Sequence, residues 1–220
     1  MASPEPVDYH GLTPDVLLDA VEYCGYRTDG RFLALNSYEN RVYQVGVEDA
    51  NPVIAKFYRP LRWSNEAILE EHEFACALAQ QDIPVVAPEI IKGTSLHTHA
   101  GYRFALYPRQ GGHWPELNTL EQREWMGRFI ARLHLVGASR PFAHRPALDV
   151  ESFGKRSYRY LLGEGFIPAH IETAYRTLAE DLLLQIDSIY AGLGDISTIR
   201  LHGDCHPGNI LWTDQGLSLI

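Results

Sequence analysis

The densest set of reactive side chains in the 220-residue sequence is His202, Asp204, Cys205, His206 and Asn209, in the run HGDCHPGN directly ahead of the apolar residues ILW. Polar groups crowded so closely against an apolar run need a task. Asp204, in a loop at the end of an expected strand TIRLH, can align an acceptor hydroxyl and take its proton. Asn209, five residues later, can return to the same place and offer its amide oxygen to Mg2+, a hard cation that prefers oxygen ligands. His202 is better suited to holding the loop by hydrogen bonds. Two other readings of the cluster stay open. One is a polar turn around a satisfied histidine. The other is a zinc site built from the alternating His202, Asp204 and His206, against which Pro207 and Gly208 argue because they interrupt a continuous strand.

HGDCHPGNILW resembles the catalytic loop of the aminoglycoside phosphotransferase and choline kinase superfamily, in which H-G-D-x-x-x-x-N replaces the H-R-D-x-x-x-x-N of protein kinases. The resemblance implies that Asp204 is a catalytic base and Asn209 a Mg2+ ligand. It also sets demands upstream. A lysine must neutralise nucleotide phosphates, and PVIAKFY supplies Lys56 inside an otherwise apolar run; an edge-strand lysine turned to water is the alternative. A helix carboxylate must orient that lysine. ILEEHEFACAL offers Glu70, Glu71 and Glu73, of which Glu71 is preferred because family members place this glutamate seven residues before a leucine, here Leu78. A loop must cover the phosphates. The segment LNSYENRVYQV lacks the G-x-G-x-x-G of protein kinases, yet Asn36, Ser37 and Asn40 suit a tight turn and carry amide and hydroxyl groups that can meet phosphate oxygens. An ordinary hairpin turn would use the same residues.

These side chains require a scaffold, and its parts are visible in the pattern. Thr13-Pro14 starts a helix carrying Val16, Leu17, Ala20 and Val21 and ending near Gly25. RFLAL, RVYQV and PVIAKFY read as three antiparallel strands. A long helix from Ser64 to Gln80 follows, with Ser64 as its cap and Ile68, Leu69, Phe74, Ala75 and Leu78 on its apolar side. Short strands are expected at Ile90–Ile91 and in YRFALY. Beyond PRQGG the chain turns helical, from Leu120 to Val136 with Trp125, Phe129, Leu133 and Val136 on one face, and again from Ile171 to Ala191. The stretch between those helices, rich in Pro and Gly, reads as irregular. TIRLH, NILW and LSLI return to strand, with Asp214 in the turn TDQG. The expectation is an α+β, bilobal, protein-kinase-like fold. Residues 1–109 form a β-rich nucleotide-binding N-lobe with one long helix, and residues 110–220 form a helical C-lobe that holds the catalytic loop and is incomplete at its C-terminus.

Composition narrows the partners. Nineteen Lys and Arg against twenty-eight Asp and Glu give a net charge of -9, which leaves no broad basic surface for a nucleic acid backbone. Cys24, Cys76 and Cys205 are too scattered for a disulfide framework or zinc site, which fits a reducing cytoplasm. No run of about 18 apolar residues suggests a membrane span, and the first residues lack a signal-peptide pattern.

NSYENRVYQV, AKFYRP, ILEEHEFA and RLHGDCHPGNILW, together and in order, resemble the bacterial stress response kinase A family, also called YihE or RdoA. That resemblance implies a cytoplasmic kinase that phosphorylates protein Ser/Thr with ATP and Mg2+, with Ser37 in the phosphate loop. A small-molecule kinase acting on an aminoglycoside, choline-like or amino-alcohol hydroxyl is the alternative. In this superfamily a second metal-binding aspartate stands in a D-x-D motif about a dozen residues past the loop asparagine. It is expected immediately after Ile220, so the chain is read as a fragment with little phosphotransfer activity and an uncovered apolar helical surface. If the chain is complete, a non-catalytic nucleotide-binding module is the expectation instead.

Overall fold

A computed structural model describes residues 8–213 and 216–220. The tip of the TDQG turn, with Asp214, lies outside the described residues. The described residues form two compact units, one lying within 1–144 and 199–220 and the other within 145–198.

The first unit opens with helix α1 (Pro14–Tyr23), whose first turn is capped by the Thr13 hydroxyl accepting from the Val16 amide. A five-stranded antiparallel sheet follows: β1 (Thr28–Leu35), β2 (Arg41–Val47), β3 (Val53–Phe57), β4 (His97–His99) and β5 (Tyr102–Pro108), in the order β1-β2-β3-β5-β4. Alternation divides its faces. Val45, Val53, Ala55, Phe57, Phe104 and Leu106 are buried in one cluster with Leu17, Ala20 and Val21 of α1. The opposite face carries Ile54 and Lys56 of β3; Val42 and Ala105 flank Lys56 across the ladder, and Gln44 and Tyr107 flank Ile54.

Helix α2 (Asn65–Gln80) is capped by Ser64, whose hydroxyl accepts from the Ala67 amide. Its Ile68 packs with Ala105 and Tyr58. The far end of α2, through Phe74 and Leu78, joins a second cluster with Met126, Phe129 and Leu133 of α3 (Leu120–Gly137) and with Ile210, Leu217 and Leu219 of the hairpin β6 (Ile210–Thr213) and β7 (Gly216–Leu219). That shared core fixes the hairpin after the HGDCHPGN loop against α2. The Leu219 amide donates to Pro84 O at 3.0 Å and the Val86 amide to Leu219 O at 2.8 Å, which locks β7 to the chain leaving α2.

The second unit contains a π-helical turn (Val150–Lys155) that runs into α4 (Arg156–Gly163), followed by α5 (Ala169–Gly192). No residue of these helices is buried.

Several local expectations are corrected. TIRLH is not a strand: Arg200 uses its backbone amide on Gly137 O, 3.1 Å away at the end of α3, instead of on a ladder. Ile90–Ile91 makes only an isolated bridge from Ile91 to Thr94, and the edge strand is His97–His99, paired with β5. The Pro- and Gly-rich stretch before α5 is substantially helical. On α3 the buried stripe is Met126, Phe129, Leu133 and Gly137, with Trp125 half exposed.

Candidate active site

Lys56 projects from the open face of the sheet, and its ammonium donates to Glu71 Oε1 at 2.8 Å. Both side chains are about one-quarter to one-third exposed (24% and 34%), so the pair is reachable from solvent but not dispersed by it. α2 crosses this face because Ile68 packs on Ala105, the residue beside Lys56 on β5. One turn along the helix from Ile68, Glu71 faces the lysine. Of the three candidate glutamates, the structure joins to Lys56 the one preferred in the sequence, Glu71.

Beneath the ammonium lie two aromatic faces, with the Tyr58 ring centroid at 5.0 Å and that of Tyr107 at 6.0 Å. Their quadrupoles favour a cation there. Their hydroxyls are 3.0 Å apart, and Tyr58 Oη lies 2.6 Å from His72 Nε2. His72 Nδ1 in turn meets Ser95 Oγ at 2.8 Å. Burial drives the His72 pKa down to about 4, so the ring is neutral and links the two hydroxyl partners as donor on one side and acceptor on the other. This support was missed in the sequence. The sole signal was a histidine on the apolar side of an otherwise conventional amphipathic helix.

The HGDCHPGN loop ends in a short 3-10 turn, Pro207–Asn209, capped by His206, whose Nδ1 accepts from the Gly208 amide at 3.0 Å. Asn209 Nδ2 donates to Asp204 O at 2.8 Å and to Asp204 Oδ2 at 3.1 Å. The two residues singled out in the sequence are therefore directly joined, and the Asp204 carboxylate remains exposed. His202 Nδ1 accepts from the Asp204 amide at 3.3 Å, which is the loop-holding task expected of it. Burial lowers the His202 pKa, and the ring also lies within the fields of Asp204, Glu71 and Lys56. The loop and the ion pair consequently share one electrostatic neighbourhood.

The described geometry does not assemble the alternating zinc site. His202 and His206 both turn Nδ1 onto amides of their own loop, and among the described residues no group of three or more His, Cys, Asp or Glu is placed to hold a metal ion. Cys24, Cys76 and Cys205 are free thiols. Between β1 and β2, Ser37 Oγ donates to Asn40 O at 2.8 Å and closes a four-residue turn, while Asn40 Oδ1 accepts from the Arg59 amide at 3.2 Å. Asn40 thereby supports the turn from behind.

Comparison with known proteins establishes the family. The model of the phosphotransferase enzyme family, APH, matches residues 31–220. The chain belongs to this family. Among curated members, stress response kinase A of Salmonella typhi is 39% identical over 209 residues, covering 95% of this chain and 63% of the relative. Stress response kinase A of Escherichia coli (strain K12) is 38% identical over 206 residues, covering 94% and 62%. Serine/threonine protein kinase RdoA of Salmonella typhimurium (strain LT2) is 39% identical over 209 residues. The chain thus spans a little under two thirds of the length of these relatives. Two solved kinases share the fold. Amicoumacin kinase hAmiN, in complex with AMP-PNP, Ca2+ and Ami, has a TM-score of 0.66 at 18% identity, over 96% of this chain and 62% of that one. The microcompartment-associated aminopropanol kinase also has a TM-score of 0.66, at 23% identity, over 93% and 68%. The family fold is therefore α+β and kinase-like, with an antiparallel β-sheet ahead of helical segments. Among the described residues, no helix is long and apolar enough to cross a membrane.

Proposed function

We propose that this protein is an ATP- and Mg2+-dependent phosphotransferase of the stress response kinase A type, acting on protein Ser/Thr hydroxyls in the cytoplasm. The observation that carries the reading is the Lys56–Glu71 ion pair at 2.8 Å on the face of the sheet opposite α1, because a partly exposed cation held in one orientation is what a polyphosphate needs. Leu35, Val42 and Ile54 flank it on the same face and offer an apolar surface for a purine. In this reading residues 1–109 bind the nucleotide and residues 110–220 carry the catalytic loop and acceptor site.

Lys56 neutralises phosphate oxygens, and Glu71 keeps its ammonium from swinging away. Ser37 sits in the turn over the phosphates, where its hydroxyl can exchange Asn40 O for a phosphate oxygen. Asp204 accepts the proton of the acceptor hydroxyl as that oxygen bonds to phosphorus and the bond to the leaving nucleotide breaks. Because Asn209 commits Nδ2 to Asp204, its Oδ1 is left as a hard oxygen donor suited to Mg2+. Bound Mg2+ would supply charge neutralisation on the phosphates.

The test is phosphotransfer from labelled ATP by the whole protein and by Asp204→Asn, with a generic protein and small amino alcohols offered side by side. Loss of a general base lowers the rate about 10²–10⁴-fold. Equal rates would remove Asp204 as the base, and transfer confined to the amino alcohols would replace the protein acceptor with a small molecule.

A further inference from the structure

Glu70, Glu71 and Glu73 of α2 meet three different partners. Glu71 holds Lys56. Glu73 Oε2 pairs with Arg140 Nη2 at 2.7 Å. Glu70 accepts from two successive backbone amides, Ala143 N on Oε1 at 2.6 Å and His144 N on Oε2 at 2.7 Å. The segment from Arg140 to His144 is thus held to α2 at several points, and Phe142 adds an edge-to-face contact with Phe74, centroids 5.7 Å apart.

These bonds are not needed to satisfy buried donors. Ala143 and His144 are exposed, and water could serve their amides. The Glu73–Arg140 pair is exposed as well, a situation in which an ion pair adds little stability. Two charge-assisted bonds to one carboxylate instead supply direction, because both oxygens are committed at once. Neighbouring helix residues point about 100° apart, so Glu70 and Glu71 brace α2 from different sides. Rotation of the helix that withdraws Glu71 from Lys56 must also withdraw Glu70 from both amides.

We propose that Glu70 is a positioning residue: by clamping the Ala143–His144 turn it sets the rotation of α2 that keeps Glu71 on Lys56. The proposal rests on the reading of Lys56 as the phosphate-binding cation, and its test separates the two. Gln at position 70 keeps the size but puts an NH2 donor where one of the two carboxylate oxygens accepts an amide, so the two-oxygen grip on Ala143 and His144 is broken.

The chain has three lysines, Lys56, Lys92 and Lys155, which makes Lys56 readable by trace acylation of the 220-residue chain and peptide mass spectrometry. A partnering carboxylate favours the ammonium over the reactive amine, so loosening the pair speeds labelling. Glu70→Gln is expected to raise the Lys56 rate at least threefold with Lys92 and Lys155 unchanged. Glu71→Gln should raise it further, and the double variant should match Glu71→Gln alone. An unchanged Lys56 rate in Glu70→Gln overturns the proposal. So does a full extra factor in the double variant, or a rise at all three lysines together, since either reports loosening that does not pass through Glu71. Protection of Lys56 by Mg-ATP is read in the same samples; its absence refutes the nucleotide reading while leaving the Glu70–Glu71 coupling decided on its own data.

Discussion

Gly137 ends α3 with the Arg200 backbone lying directly on it. A Cβ added there would stand 2.2 Å from Arg200 O, 3.3 Å from its carbonyl carbon and 3.6 Å from its nitrogen. Favourable carbon contacts begin near ~3.5 Å, so Gly137→Ala must push the 199–201 segment away by about 1 Å. Overpacking of this kind costs about 1–3 kcal/mol. Strain on the 3.1 Å bond from Arg200 N to Gly137 O adds up to about 1 kcal/mol. The helix propensity of Ala returns at most about 1 kcal/mol. The net expectation is a loss of about 2 kcal/mol, or roughly 4–8 °C in Tm for a chain of this size. Gly127 is the internal control: it lies in the same helix, is exposed, and nothing stands within 4 Å of an added Cβ. Gly127→Ala should therefore stabilise by about 0.5–1 kcal/mol. Urea unfolding of both variants with a common m-value measures the difference. Because Arg200 precedes Asp204 by four residues, Gly137→Ala should also reduce phosphotransfer by the whole protein toward 10²-fold, the scale expected for a misplacement of about 1 Å. Stabilities of the two variants within 0.5 kcal/mol of each other would refute the reasoning.

Two further outcomes follow from buried polar groups. Arg200 is 2% exposed, donates from Nη2 to Val136 O and Ser139 Oγ at 3.0 Å each, and stacks its guanidinium 4.6 Å from the Phe74 ring centroid. Met keeps the apolar stem and leaves no buried charge, whereas Lys keeps the charge and cannot span the same partners; thermal melts should show Arg200→Lys less stable than Arg200→Met by about 1–2 kcal/mol, and the reverse order contradicts the assignment. The pKa of His72 falls from 6.5 to about 4 on folding. The unfolded chain therefore binds more protons between those values, so stability is full above about pH 6.5 and falls on acidification to pH 4, by about 3 kcal/mol from this group. Urea midpoints across that range should flatten in His72→Gln, and parallel curves for the two proteins would remove His72 as the source.

The elements legible in the sequence are those whose signals are local. Ser64 caps α2 as expected, Lys56 sits inside an apolar strand, and Asp204 and Asn209 fall in one turn because their spacing is short. The misread elements depend on distant partners. Thr198–His202 has the composition of a strand, but the acceptor for the Arg200 amide is the end of α3, 63 residues earlier. β4 reads His-Thr-His and gains its place only through pairing with β5. Helix α4 buries no residue. α4 is moreover entered through a π-helical turn and bounded by glycines, so its eight residues carry too little local signal against the surrounding Pro and Gly.

The glutamates of α2 show why residue type and helix position alone could not assign the orienting carboxylate, for which only the family spacing to Leu78 favoured Glu71. Positions 70, 71 and 73 lie within one turn, all three are acidic, and all are compatible with a solvated face. What distinguishes them is which element passes each side of the helix: the β3 lysine on one, and the Ala138–His144 segment on another. That segment follows α3, whose Met126, Phe129 and Leu133 share a core with the far end of α2 and with the hairpin β6–β7. The same apolar contacts therefore place the clamp on Glu70 and hold the hairpin that follows Asp204 and Asn209. A substitution in this core that shifts α3 against α2 should disturb both halves of the site together, whereas one in the α1-facing core should disturb the sheet while leaving the 202–209 loop in place.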